Sequence, residues 1–327
     1  MRMRNKTAAN AGVPAGDVFT LAVAGTVSAG KTTVLNALLG RELLHSSNEP
    51  ATASHTVLRH RPHAPRVVCG SYSRNGALVD FHRGMNAALY RRWNAHAQVA
   101  RIHVSGNLGY VAGARGKLDL HDLPGANNSL DSEHWHLATG ALATVPWRLL
   151  CFVLDATAPG TTDEHALLQH VHAISASRPQ GRLLFLLNKV DEVDPNSDGP
   201  LETVVHNARQ RLSRLGFDAP WVVPTMARVG LVARMKMAGA AVSARQSMHY
   251  QTMVPLLPAS AQALAAAAHV PERARSRLLQ QVQAPHWNAF HESPPLRQLP
   301  RSLLAASVIA SGISAMEDII HHCLAHP

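Results

Sequence analysis

The sequence predicts an α/β fold with a doubly wound, mostly parallel sheet that has helices on both faces. Apolar runs of strand length alternate with segments of helical spacing along most of the chain, a pattern typical of parallel sheets. The first apolar run is followed by a glycine-rich turn that opens the first helix. With 327 residues, 46% of them hydrophobic, the chain is long enough to bury a sizeable core.

Each element follows from its local pattern. The predicted strands are Val18–Ala24, Thr56–Arg59, Arg66–Gly70, Ala100–Val104, Lys117–His121, Leu149–Asp155, Leu183–Leu187 and Trp221–Pro224. The predicted helices are Lys31–Leu39, Met85–His96, Asp163–Ile174 and Leu201–Leu215. From about 235 to 300 an alanine-rich stretch broken by prolines predicts a helical insertion, and a closing helix is expected at about 301–324. Residues 1–17 are expected to be a flexible basic tail in front of a domain at 18–327.

The turn GTVSAGKTT has the spacing G-x-x-x-x-G-K-T, which predicts a phosphate-binding loop. Gly25 and Gly30 allow a turn whose N–H groups point at phosphate oxygens, and the following helix adds its positive end. Lys31 is expected to reach the β- and γ-phosphates, Thr32 to ligate Mg²⁺ and Thr33 to meet the α-phosphate.

A second motif, D-x-x-G, ends the strand pattern KLDLHD at Asp122 and Gly125. The motif is common by chance, but its position after a strand and downstream of a phosphate loop favours a role in binding Mg²⁺ and the γ-phosphate. Asp122 would act on Mg²⁺ indirectly, without being one of the ligands bound to the ion. The Gly125 N–H would contact the γ-phosphate.

The run LLFLLNKVDEV contains N-K-x-D and predicts guanine recognition. Asp191 can accept hydrogen bonds from the ring N–H and the exocyclic amine of guanine, which adenine does not offer in that arrangement. The stem of Lys189 would pack over the base, and Asn188 would tie this loop to the phosphate loop. GTP or GDP is therefore the expected nucleotide.

A weaker fourth element, Thr225-Met226-Ala227-Arg228, follows the next strand. Ala227 could offer its backbone N–H to the guanine carbonyl, since that contact needs no side chain. The predicted nucleotide-binding residues are Gly25, Ser28, Ala29, Gly30, Lys31, Thr32, Thr33, Asp122, Gly125, Asn188, Lys189, Asp191 and Ala227.

These motifs in this order resemble the G-protein class of P-loop GTPases. Within it, SAGKTTVLNALLGRELL followed by SSNEPATASHTVLRH resembles the dynamin superfamily, especially its bacterial members. The resemblance implies that the domain at 18–327 is a dynamin-like G domain that hydrolyses GTP with Mg²⁺. It also implies that Thr52, with Thr56 as the weaker substitute, closes over the γ-phosphate, binds Mg²⁺ and positions the attacking water.

Two departures from that family change the expectation. Val27 stands where eukaryotic dynamins carry a glutamine, and Ala126 offers no Ras-type glutamine. Catalysis would then depend on Lys31, Ser28, Thr52 and backbone groups, with slow turnover that dimerisation through G domains or another partner stimulates. A helical stalk is not expected within this sequence, so a separate stalk protein is a possible partner. A GTP-responsive module that scarcely hydrolyses is the alternative.

The net charge of +10 leaves a nucleic acid or acidic lipid partner open. Between 50 and 116 the only acidic residue is Asp80, among many arginines. Tyr90 and Trp93 lie among these arginines, which is compatible with an RNA- or ribosome-associated GTPase, although an ordinary amphipathic helix fits the same spacing. A generally basic surface explains the charge equally well.

The remaining features favour ordinary explanations. Cys69, Cys151 and Cys323 have no paired spacing and fit buried thiols in a reducing compartment. No signal peptide or transmembrane run is visible, so a cytoplasmic location is expected, with peripheral membrane association as an alternative. His322 and His326 have metal-ligand spacing, but with 21 histidines in the chain a chance pair is the simpler explanation. Trp135 and Trp147 are expected in the core or at a dimer contact.

Overall fold

The computed structural model describes residues 18–44, 54–109, 117–126, 132–283 and 299–325. Within these residues the strands are β1 (Val18–Ala24), β2 (His55–His60), β3 (Val68–Tyr72), β4 (Leu78–Arg83), β5 (Arg101–Gly106), β6 (Lys117–Asp122), β7 (Leu149–Asp155), β8 (Arg182–Asn188) and β9 (Trp221–Thr225). The helices are α1 (Lys31–Leu39), α2 (Ala87–Asn94), α3 (Ser132–Thr144), α4 (Thr162–Ala176), α5 (Pro195–Asp198), α6 (Leu201–Arg214), α7 (Ala227–Met237), α8 (Ala244–Met253), α9 (Leu257–Ala267), α10 (Glu272–Val282), α11 (Arg301–Ala310) and α12 (Ile313–Ala325). The predicted basic tail, residues 1–17, lies outside the described part.

The described strands form a single sheet in the order β4-β3-β5-β2-β6-β1-β7-β8-β9. The five strands from β6 to β9 in that order pair in parallel. On the other side, β2 pairs antiparallel to β6, and β3 pairs antiparallel to both β5 and β4. The predicted doubly wound, mostly parallel α/β fold is confirmed, with a mixed-direction extension at one side.

Two buried clusters, one on each face of the sheet, make up the core of the described residues. The first packs β1 residues such as Leu21 and Val23 against α1, α7 and α12. The second packs Leu150 and Phe152 of β7 with residues of α3, α4 and α6. Strand β7 is apolar up to Asp155 at its end and is buried along its whole length, because helices cover both of its faces.

The edge strand β4 is the strand that the sequence analysis missed. Its residues are mostly exposed on both faces, including Leu78 at 57% and Phe81 at 52% exposure. Without a buried face it lacks the alternation on which the prediction relied, and it exists through antiparallel pairing with β3.

The segment predicted as one closing helix forms two helices, α11 and α12, bent by 70°. Gly312 at the bend has φ 77° and lies against the carbonyl of Pro224, which leaves no room for a side chain. The Ser311 carbonyl accepts a hydrogen bond of 2.8 Å from the Met226 N–H. The chain between α11 and α12 is therefore hydrogen-bonded to the residue that follows β9, and the two helices do not form one continuous helix.

Helices α8, α9 and α10 occupy the alanine-rich stretch after α7. Pro258 lies in the first turn of α9, and Pro271 is the N-cap of α10. Both positions suit proline because the first helical N–H groups have no partner within the helix. Pro294 lies outside the described residues.

Arg234 of α7 joins the first helix to the last. Its buried guanidinium donates to the Ala37 carbonyl near the end of α1 at 2.8 Å and to Glu317 of α12 at 2.6 Å. The helix that follows the phosphate loop is thereby fixed to the C-terminal helices.

Other sequence expectations concern side chains of the core. Trp147 is buried in the second cluster and Trp135 packs partly buried against it. Tyr90 and Trp93 are buried beneath α2, so neither is available for stacking on a base, and α2 is an amphipathic helix. The three cysteines are buried free thiols.

Of the described helices, none alone has the length and apolar character to cross a membrane, although the bent pair α11 and α12 meets that test jointly.

Three histidines on the neighbouring strands β5, β2 and β6 make the stability of the protein depend on pH. His55 Nε2 lies 2.9 Å from His121 Nδ1, and burial lowers the pKa of His55 to about 3. Burial and nearby Arg59 lower the pKa of His103 and of His121 to about 4. The folded state therefore holds these rings neutral at pH values where the unfolded chain, with a histidine pKa near 6.5, takes up protons.

We expect the free energy of unfolding to fall as pH drops from about 6.5 towards 4, because protons then bind the unfolded state preferentially. The slope is at most about 1.4 kcal/mol per pH unit for each histidine. Urea unfolding at pH 7 and pH 5 measures it, and His121→Gln should reduce the slope. The matched variant His63→Gln, at an exposed position, should leave the slope as in the wild type; equal slopes for all three proteins would contradict the prediction.

Candidate nucleotide-binding site

The predicted motifs meet at one edge of the sheet. Since β1, β6, β7, β8 and β9 run in parallel, their carboxyl ends lie side by side. The phosphate loop follows β1, Asp122 ends β6, Asn188 ends β8 and Ala227 begins the helix after β9. This is the edge where open α/β sheets place ligands.

The phosphate loop has the backbone that its glycines imply. Gly30 has φ 96° and a Cβ there would collide with the Asn188 amide, so only glycine fits. Gly25 lies against Val153 of β7, and exposed Ser28 also has a positive φ of 65°. Ala29 is buried beneath the loop.

Lys31 is buried in the centre of the loop. Its Nζ donates a 2.8 Å hydrogen bond to the Thr26 carbonyl and lies close to Gly125. Burial lowers the pKa of Lys31 to about 8, partly opposed by the charge of Asp122. A desolvated ammonium held between the first two motifs is positioned to pair with phosphate oxygens.

The Asp122 carboxylate and the Thr32 hydroxyl form an oxygen pair that suits Mg²⁺. Thr32 Oγ1 donates to Asp122 Oδ2 at 3.3 Å. Burial raises the pKa of Asp122 to about 6, with Lys31 acting in the opposite direction. The second oxygen, Oδ1, is buried and has no hydrogen-bond partner among the residues that the structure describes. A buried carboxylate oxygen without a partner is costly, and a hard cation with its water ligands would satisfy it.

Asn188 joins three loops of the site. Its amide nitrogen donates to the Ala29 carbonyl at 2.9 Å, and its amide oxygen accepts from the Ala227 N–H at 3.2 Å. The phosphate loop, the N-K-x-D loop and the start of α7 thus share one buried side chain. The Ala227 N–H, which the sequence assigned to the guanine carbonyl, is bonded to Asn188 in this structure.

We expect Asn188→Ala to destabilise the protein and to weaken nucleotide binding together. The substitution leaves the Ala29 carbonyl and the Ala227 N–H without partners, at a cost of about 1–3 kcal/mol for each buried group. Thermal unfolding and titration with GDP measure the two effects. Asn196→Ala, at an exposed position of α5, is the matched control; equal behaviour of the two variants would contradict the role given to Asn188.

The remaining base-loop residues have defined partners. Lys189 has φ 66°, and its Nζ forms an ion pair with Asp155 at the end of β7. Asp191 lies in the turn Val190–Glu192, where His249 of α8 contacts its carboxylate at 3.0 Å. The sequence analysis found neither partner, because Asp155 and His249 lie far from the N-K-x-D motif in the chain and carry no motif of their own.

Thr52 lies outside the described residues. Its weaker substitute, Thr56, is fully buried in β2 and shares a 3.0 Å hydrogen bond with the Tyr90 hydroxyl. Thr33 is half-buried in the first turn of α1. Of His322 and His326, whose metal-ligand spacing is attributed to chance, the second also lies outside the described part.

A sequence model of the dynamin family matches residues 21–190, just over half of the chain. The match runs from within β1 to Val190, and so includes the phosphate loop, the D-x-x-G motif and the first three residues of the N-K-x-D motif. The chain belongs to the dynamin family. Dynamin-family G domains are GTPases as a class, which agrees with the motifs found here.

Two solved structures described as an oligomerised bacterial dynamin pair, with a role in long-range sensing and tethering of membranes, are similar to this dynamin-family chain. They have TM-scores of 0.50 and 0.48, with 15% and 16% sequence identity. Each comparison covers 82% of this chain but only 41% and 42% of the other chain. The likeness at a TM-score of 0.50 supports the fold alone.

The clamp-binding protein CrfC of Escherichia coli is 50% identical to this dynamin-family chain over 42 residues. That stretch is 13% of this chain and 6% of CrfC. The chain thus spans a small part of CrfC and less than half of either solved relative.

Proposed function

We propose that this dynamin-family chain carries a G domain at 18–327 that binds GTP with Mg²⁺ and hydrolyses it to GDP and phosphate. The observation that carries the proposal is the buried Lys31 between the phosphate loop and Gly125, beside the Thr32–Asp122 pair. This arrangement offers one cation for phosphate oxygens and a carboxylate for a metal, at the edge where Asn188 connects the base loop.

In the proposed reaction, water attacks the γ-phosphate in line with the departing GDP. Lys31 neutralises charge on the β- and γ-phosphates, and the Gly125 N–H contacts the γ-phosphate. Thr32 and Thr52 would hold Mg²⁺, with Asp122 outside its direct ligands, and the ion would supply charge neutralisation. Thr52 and backbone groups position the water, and Ser28 assists from the phosphate loop.

The side chain of Val27 in the phosphate loop is the reason to expect slow GTP turnover by the isolated domain. Val27 is 37% exposed, lies against Gly125, and has no group that orients water. A second copy, paired through the G domains, would exclude water and complete the site. The same observation favours the alternative, a GTP-responsive module that scarcely hydrolyses. In either case a separate helical stalk protein is a candidate partner, and the proposed location is cytoplasmic or peripheral at a membrane.

A nucleic acid or acidic lipid remains a candidate partner of the basic segment that includes α2. Arg91 and Arg92 are exposed on α2, although Arg92 is paired with Asp80 at 3.0 Å. With Tyr90 and Trp93 buried, such binding would be electrostatic and would weaken steeply with salt. Filter binding of RNA and co-sedimentation with anionic vesicles, each over a salt series, would separate the two partners.

The proposal is tested by GTP turnover over a series of protein concentrations, with Mg²⁺. We expect activity per molecule to rise with concentration and to be lost in Thr52→Ala. Thr252→Ala, at an exposed position of α8, is the matched control. Tight GTP binding with background turnover at every concentration would favour the non-hydrolysing module, and absence of GTP binding would overturn the proposal.

A further inference from the structure

The carboxylate that the N-K-x-D motif assigns to guanine is covered by a residue from outside the motif. His249 Nε2 of α8 lies 3.0 Å from Asp191 Oδ2, and the Asp191 side chain is only 3% exposed. A guanine base therefore has almost no access to this carboxylate in the present arrangement.

The contact is close but leaves both groups incompletely bonded. Among the described residues, Asp191 Oδ2 has no aligned hydrogen-bond donor, and His249 Nδ1 is also buried without a partner there. A buried carboxylate oxygen without a donor costs free energy that two N–H groups of guanine would recover. His249 thus covers the oxygen without replacing the bonds that the base would make.

Helix α8 holds His249 in this position through contacts on both sides of it. A capping box of Ser243 and Gln246 begins the helix, and Gln246 also hydrogen-bonds Glu42 beyond α1. Tyr250 is fully buried, with its hydroxyl 2.7 Å from that of Ser307 in α11. The histidine is therefore presented by an anchored helix.

The acidic residues next to the N-K-x-D loop favour a cationic or polar side chain opposite Asp191. Glu192 follows Asp191 and joins it and His249 in a cluster whose ligand atoms lie within 4.8 Å of one another. Arg228 pairs with Glu192 at 3.0 Å, so the neighbouring carboxylate already has its own partner. His249 is the residue of α8 that meets the remaining negative charge, on Asp191.

We propose that His249 sets the guanine affinity of the site by closing over Asp191 until the base displaces it. The inference rests on the proposed function, since it requires Asp191 to be the guanine acceptor. Displacement breaks the contact between Asp191 and His249, which links the base loop to α8, so that base binding loosens this helix. The apparent affinity is reduced by the fraction of molecules in which the pocket is closed.

The test compares His249→Ala with the wild type in titrations with GDP and in the rate of GDP association. We expect the dissociation constant to fall about threefold to tenfold, mainly through faster association, as for a pocket that is open in only a minority of molecules. His249→Gln retains a polar side chain that can reach Asp191 and should stay close to the wild type. Met248→Ala, 70% exposed on the same helix, is the matched control and should have no effect.

Hydrogen exchange in α8 supplies a second readout. GDP should increase exchange in residues 244–253 of the wild type, and the increase should be smaller in His249→Ala. Weaker GDP binding by His249→Ala would overturn the inference, because the histidine would then support Asp191. Unchanged affinity and exchange, with GDP binding still sensitive to Asp191→Asn, would also overturn it while leaving the proposed function intact. Insensitivity to both substitutions would overturn the inference and the guanine assignment together.

Discussion

Lys31→Ala is expected to lower GTP affinity by about 10²–10⁴-fold. The ammonium would make charge-assisted hydrogen bonds to two phosphates, each worth about 1.5–3 kcal/mol. Because Lys31 is buried with a lowered pKa of about 8, it is already desolvated before the nucleotide arrives. Isothermal titration with a non-hydrolysable GTP analogue at pH 7 measures the loss.

Lys117→Ala removes the same charge at the opposite end of β6 and is the matched control for this experiment. We expect it to bind the analogue as the wild type does. Thermal unfolding of nucleotide-free Lys31→Ala should show that it remains folded. An unchanged affinity in folded Lys31→Ala would contradict the phosphate-loop assignment.

Asp191→Asn is expected to change the preferred base from guanine to xanthine. The asparagine oxygen can accept from the ring N–H, but its NH₂ faces the exocyclic amine of guanine and leaves a donor unpaired. That mismatch costs about 1–3 kcal/mol, or about 10–100-fold in GTP affinity. Xanthine has a carbonyl at this position, so the NH₂ gains an acceptor and XTP affinity should rise by a similar factor.

Competition of GTP and XTP for the purified protein measures this change in base preference. Asp194→Asn is the matched control, since Asp194 is exposed and caps α5 through a side-chain oxygen that asparagine retains. A loss of GTP binding without a gain for XTP would indicate a damaged loop, and equal preference in wild type and variant would contradict guanine selection by Asp191.

Local pattern determined much of the fold and of the site. The bounds of β1, α1 and β7 agree with the prediction, because an apolar run bounded by turn residues defines a buried strand and regular spacing defines the first helix. The motif spacings predicted which residues gather at the sheet edge, since parallel strands bring their carboxyl ends together.

The exposed parts of the fold were harder to predict. Strand β4 has no buried face and is held by pairing with β3, a partner that local sequence does not identify. The bend at Gly312 depends on the approach of the Pro224 carbonyl, which belongs to a strand more than eighty residues earlier. Each of these features results from a contact between distant segments.

The sequence by itself determined the fold class and predicted which residues form the phosphate and guanine motifs, because these depend on short spacings and strand-to-helix order. The tertiary structure alone decided the order of the mixed extension, the pairing of Lys189 with Asp155 and the closure of His249 over Asp191. The physical reason is that such contacts join side chains on different elements, and their free energy depends on burial and distance that no local pattern encodes.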